Sequence, residues 1–488
     1  MANKGRSYRR GSLSKVNLKK EALSPMILMM IVLLFCGFLT YIIPAGEFAT
    51  VTKIKEESEK GEEQEYSVID PDSFTYLERK PVGALDLLMS LSQGMQRGAD
   101  VIFYLLIVGG MFAILNGTNA LNVGMANLLV RLKKRTWLLI PLLMILFGCG
   151  AAFCGNFEEF LVFVPLVLAC CITAGYDSLT AVGIIFCAAT AGYGGAVTNA
   201  FSVGKAQEIA GLPMFSGMDL RLALFSVLLT VAILYICFYA AMIKKNPRLS
   251  GAFAYDRAFN QDKRLNLAKI PKLGKRQIAV LLIFVAGMAF SVWGIIEKGF
   301  YIDELSGIFL AVGIIGGLVG GLSFNKICKC FEKGCKDMLL PGILIGLANS
   351  AVLILENADV MASILHYLMR ITEKFPDVLC ACGMFLAHEV FNIFVPSASA
   401  QANITMPLMV SLADKMQITR QTAVLAYQLG DAFTNILVPT GGEILAALAI
   451  CRVPYGKWVK FLLPLFIIWY VVAMMFLMFA TKTGFGPM

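Results

Sequence analysis

Charged residues are scarce in this chain of 488 residues: 15% are Asp, Glu, Lys or Arg, whereas 58% are hydrophobic. Soluble domains carry about 25% charged residues, so the composition excludes an ordinary soluble protein. Histidine occurs only twice and not near Cys328, Cys330 or Cys335, which argues against a zinc site at that cysteine cluster. The chain also lacks a nucleophile motif and a phosphate-binding loop. We therefore predict a polytopic membrane protein that is not an enzyme and needs no organic cofactor.

Apolar stretches long enough to span a bilayer, about 17–25 residues, recur along the chain. We predict nine crossings, at residues 25–43, 101–115, 179–201, 220–243, 278–296, 305–322, 339–355, 423–450 and 461–480. Two longer apolar regions, 136–174 and 377–412, contain Gly, Pro, Ser and Asn near their centres. Irregular backbone is tolerated at membrane depth only where protein or a cavity surrounds it. Both regions are therefore predicted to be re-entrant hairpins.

Basic residues concentrate beside the apolar stretches. The N-terminal residues 1–24 and the linker 244–276 are rich in Lys and Arg, whereas residues 46–79 are mainly acidic. Loops rich in Lys and Arg remain cytoplasmic. The N-terminus and the linker are therefore predicted inside, and the acidic segment and the C-terminus outside. Topology then accounts for the net charge of +9, so membrane lipid, and not nucleic acid, is the expected partner.

The second half of the chain repeats features of the first. At an offset of 242 residues, Pro165-Leu166 aligns with Pro407-Leu408, and the Thr-Ala-Val at 180–182 aligns with that at 422–424. Because the first hairpin begins inside and the second outside, residues 25–243 and 277–488 are predicted to form an inverted repeat. Each half also contains a mixed apolar and charged segment, at 81–97 and 326–338, that is typical of an interfacial arm helix.

Polar residues break the apolar segments at four places: the two hairpin turns and the middles of spans 179–201 and 423–450. Half-helix N-termini and unwound carbonyls at such breaks can bind a carboxylate and a small cation, although small residues can also serve close helix packing alone. The predicted substrate-binding residues are Asn156, Glu158, Glu159, Ser397, Ser399, Asp431, Thr434 and Asn435. The predicted supporting or ion-binding residues are Gly155, Gly194, Thr198, Asn199, Asn392, Thr440 and Gly441.

Five carboxylates lie in apolar segments that no Lys or Arg interrupts: Glu158, Glu159, Glu389, Asp431 and Glu443. Unpaired carboxylates in a membrane must take up a proton, bind a metal cation or meet a cationic ligand. Glu158 and Glu159 point about 100° apart on a helix, so one is expected to face the site and the other to orient the hairpin; if both faced one cavity, they could carry a proton.

Two further side chains could influence the charge of these five carboxylates. Lys205 is the nearest basic candidate to these carboxylates. His388, beside Glu389, could relay protons or bond a nearby carbonyl.

Four stretches carry a family resemblance: "YIIPAGEF", "PVGALDLLM", "GNFEE" and "PSASAQANITMPLM". They resemble the YfcC branch of the DcuC-type carriers in the ion transporter superfamily, whose members include C4-dicarboxylate carriers and arginine/ornithine antiporters. The resemblance implies an all-α fold in a bacterial inner membrane, with a scaffold that forms a homodimer and a transport domain that moves as an elevator. It also implies that sodium could bind at the hairpin tips, where Asn156, Ser397 and Ser399 loosely match the superfamily's Ser-Asn-Thr signature.

These features predict a secondary transporter for a basic amino acid such as arginine or ornithine, working as an exchanger or coupled to a cation. Glu158 or Glu159, together with Asp431, would hold the side-chain cation, and the hairpin-tip amides would hold the α-carboxylate. Two alternatives stay open. One is a sodium- or proton-coupled C4-dicarboxylate carrier, and the other is a proton- or sodium-driven cation antiporter without an organic substrate.

Overall fold

The computed structural model describes residues 24–56, 63–69, 72–155, 157–261, 273–298, 300 and 302–486. Residues 1–23 of the predicted basic N-terminus and residues 262–272 of the predicted linker therefore lie outside the described residues. The described chain is mostly helical, and eight of its helices are long and apolar enough to cross a membrane. The protein is therefore an integral membrane protein, as predicted.

The first half begins with four helices and continues with a bent pair and a broken helix. The helices are α1 (Pro25–Ile42), α2 (Ala84–Arg97), α3 (Ala99–Gly117), α4 (Ala120–Leu132), α5 (Leu139–Cys149), α6 (Val164–Ala174), α7 (Ser178–Gly195), α8 (Lys205–Ala210) and α9 (Met218–Lys245). A π-helical turn at Gly150–Cys154 and a 3₁₀ helix at Glu158–Phe163 separate α5 from α6. The interruptions occur where Gly and Asn interrupt the apolar pattern.

The segment between α1 and α2 departs from the all-helical prediction. It contains β1 (Gly46–Glu47), β2 (Thr50–Glu56), β3 (Glu63–Ile69) and β4 (Thr75–Tyr76), which form the antiparallel pairs β1–β4 and β2–β3. The sequence of β2, "TVTKIKE", is rich in β-branched residues, which favour strands over helices. The β2–β3 pair is in register from Thr50↔Ile69 to Glu56↔Glu63. Charge alone predicted the exposure of this segment but not its strands.

Nine α-helices lie in the described residues of the second half. They are α10 (Lys275–Lys298), α11 (Ile302–Val319), α12 (Phe324–Asn357), α13 (Met361–Thr372), α14 (Asp377–Asn392), α15 (Ala398–Lys415), α16 (Arg420–Asn435), α17 (Gly442–Cys451) and α18 (Tyr455–Thr483). The pair α14–α15 and the broken pair α16–α17 follow one another as the pair α5–α6 and the broken pair α7–α8 do. Helix α16 begins 242 residues after α7, which is the offset read from the sequence. The opposite membrane orientation of the halves stays a prediction.

Three predicted segments have different boundaries in the structure. Residues 326–338, expected to be a separate arm, are the beginning of the continuous 34-residue helix α12, because no helix-breaking residue follows Asp337 until Pro341, which the helix accommodates. Residues 423–450, expected to be one crossing with a break in its middle, comprise most of α16 and α17, which "PTGG" separates. The first leg of the first hairpin, Arg135–Cys154, has 20 residues and is long enough to cross, whereas its return leg α6 has 11.

The helices pack in two groups. Around α3 pack α2, α11 and α12, with α1 against α12; around α7 pack α5, α9 and α16, and α14 lies between α16 and α18. Helix α17 bridges the groups because it contacts α12 on one side and α6 and α7 on the other. All residues of α7 and α16 except the first residue of α16 are buried. The broken helices therefore lie at the centre of the second group.

Both ends of the second group are tied by polar contacts. The backbone N–H of Ser178 donates to the Asp256 carboxylate (3.0 Å), and the Asn260 amide donates to the carbonyl of Cys451 (2.9 Å). At the opposite end, the Thr419 hydroxyl donates to the carbonyl of Phe485 (2.8 Å). Asp256 and Asn260 of the linker thus connect α7 with α17, and the turn at Phe485 packs at the start of α16.

Candidate functional site

The turn of the first hairpin is shaped by a glycine and an internal carboxylate. Gly155 has φ +75°, and a Cβ there would approach the Asn199 side-chain oxygen to 2.6 Å, so the position requires glycine. The Tyr193 hydroxyl donates to the Gly155 carbonyl (2.7 Å), and the Phe157 N–H donates to the Glu159 carboxylate (3.0 Å). Glu159 therefore accepts a hydrogen bond from the backbone of the turn, and the division of roles between Glu158 and Glu159 stays a prediction. Asn156 lies outside the described residues.

The first break separates α7 from α8 at residues 196–199. Ala196 has φ +39°, an uncommon conformation for a residue with a Cβ. The Thr198 N–H and hydroxyl donate to the carbonyls of Ala152 and Phe153 (both 3.1 Å). The Asn199 side-chain oxygen accepts from the N–H groups of Phe201 and Ser202 and thereby caps the next helical turn. Thr198 and Asn199 thus form hydrogen bonds on both sides of the break, and their role in ion binding or transport stays a prediction.

Donors from elsewhere satisfy the carbonyls that this break frees. The Gln428 amide donates to the carbonyls of Gly194 (2.8 Å) and Gly195 (3.2 Å), and the Arg221 guanidinium donates to that of Val197 (3.1 Å). Gly194 is also a packing position, since a Cβ there would contact Leu228 at 3.1 Å. These three carbonyls are consequently hydrogen-bonded within the protein, whereas Nδ2 of Asn199 and the Ser202 hydroxyl are buried without a partner in the structure.

The second half gathers its polar residues around Asn392, the last residue of α14. The Asn392 amide donates to the Gln401 side-chain oxygen (2.8 Å) and to Oδ1 of Asp431 (3.0 Å). Asn435 donates to the same Asp431 oxygen (3.4 Å), while the Thr434 hydroxyl donates to the carbonyl of Gly430 (3.1 Å). Asn392, Asp431, Thr434 and Asn435 are therefore brought together.

Several buried oxygens in this group have no hydrogen-bond partner in the structure. They are Oδ2 of Asp431, Oδ1 of Asn392, Oδ1 of Asn435 and Oγ1 of Thr440, which lies beside Gly441 in the second break. Buried polar atoms without partners are rare and costly. Carboxylate, amide and hydroxyl oxygens are suited to hard cations. Within the described ranges, no group of three or more His, Cys, Asp or Glu side chains could hold a metal ion.

Three carboxylates of the site region come from separate elements. Glu158 lies in the 3₁₀ helix Glu158–Phe163, which contacts α17, the helix that carries Glu443, and Asp431 lies in α16. Asp431 is fully buried, whereas Glu158 and Glu443 are half-buried. None of the three forms an ion pair with Lys, Arg or His in the part of the chain described. The region where the elements meet is thus an uncompensated acidic site.

Lys205 does not compensate this charge, although it is the nearest basic residue in the sequence. Its ammonium pairs with Glu208 at 2.9 Å, one helical turn along α8. A lysine at the beginning of a short helix reaches a carboxylate three residues further on more easily than one on another element.

Other predicted residues lie outside this polar group. Ser397 and Ser399 are exposed, and Ser397 precedes α15 without a side-chain cap. The His388 ring nitrogen Nδ1 lies 3.4 Å from the Gln401 amide, so this histidine faces Gln401. Glu389 is 6% exposed, and its Oε1 has no partner in the structure.

Four residues of the site region escaped prediction: Tyr193, Arg221, Gln401 and Gln428. Arg221, the only fully buried arginine in the described chain, stands at the edge of an apolar run, where an arginine ordinarily reaches the membrane surface. Gln401 and Gln428 do carry a signal, because each is a polar residue within a buried helix.

The family model of DcuC, described as C4-dicarboxylate anaerobic carrier, matches residues 23–482. The chain belongs to the DcuC family. An Escherichia coli (strain K12) protein named "Putative basic amino acid antiporter YfcC" is 30% identical over 89% of this chain and 91% of its own. An uncharacterized Haemophilus influenzae protein is 29% identical over 81% of this chain and 78% of its own.

Two solved transporters are also similar to this DcuC-family chain. The YdaH transporter of Alcanivorax borkumensis has TM-score 0.42 and 16% identity over 95% of this chain and 100% of that one. MtrF of Neisseria gonorrhoeae, from a class of antimetabolite efflux pumps, has TM-score 0.41 and 16% identity over 95% of this chain and 96% of that one.

Proposed function

We propose that this DcuC-family carrier is a secondary active transporter that exchanges a basic amino acid such as arginine or ornithine. The observation that carries the proposal is that Glu158 and Glu443 lie on contacting elements, and that neither they nor the buried Asp431 forms an ion pair with a basic residue of the described chain. A site with unpaired carboxylates favours a ligand that brings positive charge. The printed name of the Escherichia coli relative supports the same substrate class.

The proposed roles follow from position. Glu158 and Glu443, half-buried at the junction of the first hairpin with α17, would bind the guanidinium or ammonium group of the substrate. The N-terminal ends of α15 and α17 and the hairpin-tip amides, with Asn156, Ser397 and Ser399, would take the α-carboxylate. Glu159 would orient the hairpin, because its carboxylate already accepts from the Phe157 N–H.

Asp431 would take the coupling ion. Its free Oδ2 and the neighbouring amide oxygens of Asn392 and Asn435 are the groups that sodium or a proton would occupy. Movement of α5–α9 and α14–α18 against a scaffold built on α3 and α12, within a homodimer, would provide alternating access in an elevator manner.

The decisive experiment is exchange of labelled arginine in proteoliposomes. We expect wild type to exchange arginine, and Glu158→Gln to lose at least about tenfold in kcat/KM, because a charge-assisted contact contributes about 1.5–3 kcal/mol. Glu159→Gln is the matched control and should retain substrate binding. Equal loss in both variants would remove the assignment of Glu158 as the ligand, and intact transport in Glu158→Gln would remove the carboxylate site itself.

A C4-dicarboxylate carrier is the second candidate, favoured by the description of the family model. In that case the free oxygens at Asp431 would bind a cation that neutralises the substrate. The same proteoliposomes should then take up succinate only with a sodium or proton gradient and ignore arginine. Succinate uptake without arginine exchange would replace the first proposal by the second.

A further inference from the structure

Arg221 is fully buried in the first turn of α9. It forms no ion pair with an acid in the described chain. Its guanidinium donates only to backbone carbonyls: Ser216 (2.6 Å), Phe215 (3.0 Å) and Val197 (3.1 Å). A buried cation is costly unless its donors are used, and the first turn of a helix is unfavourable for positive charge. Because burial and the position in the first helical turn are both unfavourable for a cation, the presence of Arg221 requires an explanation in the structure around it.

The three carbonyls belong to two strained turns. Val197 follows Ala196, which has φ +39°, and Phe215 itself has φ +58°. Neither residue is glycine, so both conformations must be fixed by their surroundings. The planar guanidinium, with donors directed in fixed directions, reaches both turns at once. Arg221 thereby connects the first break with the loop between α8 and α9.

The loop also belongs to a contact between the two halves. The Ser216 carbonyl, which accepts from Arg221, also accepts from the amides of Gln207 (2.9 Å) and Gln421 (2.9 Å). Gln207 lies in α8, whereas Gln421 lies at the start of α16. The chain of hydrogen bonds therefore runs from the first break, through Arg221 and Ser216, to the second broken helix.

The second half supports its own break without a charge. There the carbonyl of Ile436 accepts from the indole N–H of Trp458 in α18 (2.8 Å). A neutral donor is thus sufficient to hold a carbonyl at a break. What distinguishes Arg221 is the ability of one side chain to hold two turns together.

We propose that Arg221 is a positioning residue for transport, which fixes the first break, and with it the Thr198–Asn199 turn under the first hairpin, against the loop 211–217 and α16. The proposal rests on the proposed transport function but not on the identity of the substrate. Arg221 acts through the geometry of its donors, and its charge does not act on the ligand.

The test compares Arg221→Met, Arg221→Gln and Arg221→Lys with the control Arg248→Met, which changes an exposed arginine of the linker. The assays are exchange in proteoliposomes, normalised to folded carrier, and the rise in Tm that substrate produces in detergent. We expect Arg221→Met to raise KM at least about tenfold and to lose the substrate-induced rise in Tm. Arg221→Gln should keep part of the affinity, Arg221→Lys should do no better than Arg221→Gln, and the control should behave as wild type.

Two results would overturn the proposal. A lower Tm with an unchanged KM in Arg221→Met would make the residue merely structural, and normal transport in Arg221→Lys with none in Arg221→Gln would assign the role to charge. If Arg221→Met does not fold, Gln421→Leu provides the test, because it removes a hydrogen bond to Ser216 in the same series of hydrogen bonds. KM should then rise about threefold. An unchanged KM would contradict the proposal. Wild type is assayed with both arginine and succinate, so that absence of arginine exchange counts against the proposed function alone. The effect of the Arg221 variants on KM is measured with the substrate that wild type transports.

Discussion

The two breaks differ in what remains available for a ligand. At the first, the carbonyls of Gly194, Gly195 and Val197 accept from protein side chains. At the second, Asp431 and Asn435 keep unpartnered, buried oxygens. The backbone carbonyls of the first break are thus occupied, whereas the second break leaves carboxylate and amide oxygens available for the cation proposed above. The unpartnered atoms of the first break are an amide nitrogen, Nδ2 of Asn199, and the Ser202 hydroxyl.

The sequence offset locates the origin of this difference. Asn392, Asp431 and Asn435 correspond, 242 residues earlier, to Gly150, Ala189 and Tyr193. None of these three supplies a carboxylate or an amide oxygen. The helix breaks therefore occur in both halves, whereas the carboxylate and amide oxygens occur at these positions only in the second half. We accordingly expect one cation per chain at these positions.

Asp431→Asn should have the largest effect on the difference between the two breaks, because it removes the carboxylate of the second break and makes that break as neutral as the first. Transport should fall at least about tenfold, since a charge-assisted contact contributes about 1.5–3 kcal/mol. The ligand-free protein should become more stable, since an unpaired buried carboxylate is removed. Proteoliposome exchange and thermal unfolding measure the two effects. Asp414→Asn, an exposed carboxylate paired with Arg420, is the control; unchanged transport in Asp431→Asn would contradict the difference between the breaks.

The variants Asn392→Ala and Asn199→Ala test which of the two breaks contributes more to the free energy of unfolding. Removing Asn392 leaves the Gln401 side-chain oxygen without its Asn392 donor, at about 1–3 kcal/mol for an unsatisfied buried group, and leaves Oδ1 of Asp431 with only the longer bond from Asn435. Removing Asn199 deletes a helix cap, which costs about 1 kcal/mol. Chemical unfolding in detergent should therefore show the larger loss for Asn392→Ala. The reverse order would indicate that the first break is the more sensitive one.

Gln428→Leu tests whether the hydrogen bonds to the carbonyls of the first break contribute to stability. It frees the carbonyls of Gly194 and Gly195, so we expect a loss of about 1–2 kcal/mol in the free energy of unfolding. The cation dependence of transport should stay that of wild type, because the oxygens around Asp431 are intact. A changed sodium or pH dependence in Gln428→Leu would show that the first break also holds an ion.

Lys205→Gln should have the smallest effect. Its partner Glu208 is exposed, and such pairs contribute about 0–1 kcal/mol. Transport and Tm should both match wild type. A loss of exchange would mean that Lys205 supplies charge to the acidic site after all.

The sequence allowed the positions of the interruptions to be predicted, but only part of the site. Gly, Pro and Asn disfavour a continuous helix wherever they occur, so the breaks near residues 155, 197, 395 and 439 are local properties. The grouping of Asn392, Asp431, Thr434 and Asn435 followed from the same pattern. The roles of Arg221 and Gln428 could not be predicted, because each depends on a carbonyl supplied by a distant element. The strands near residues 46–76 were missed for a related reason, since acidity indicates exposure and says little about backbone conformation.

The C-terminal turn has a practical consequence for expression. Phe485 accepts from Thr419, and its ring would meet a Cβ at Gly217 at 2.6 Å, so the end of the chain is packed beside the start of the second broken helix. A fluorescent reporter or an affinity label attached close to Phe485 would place bulk beside this contact. Any such group should therefore be joined through a long, cleavable spacer.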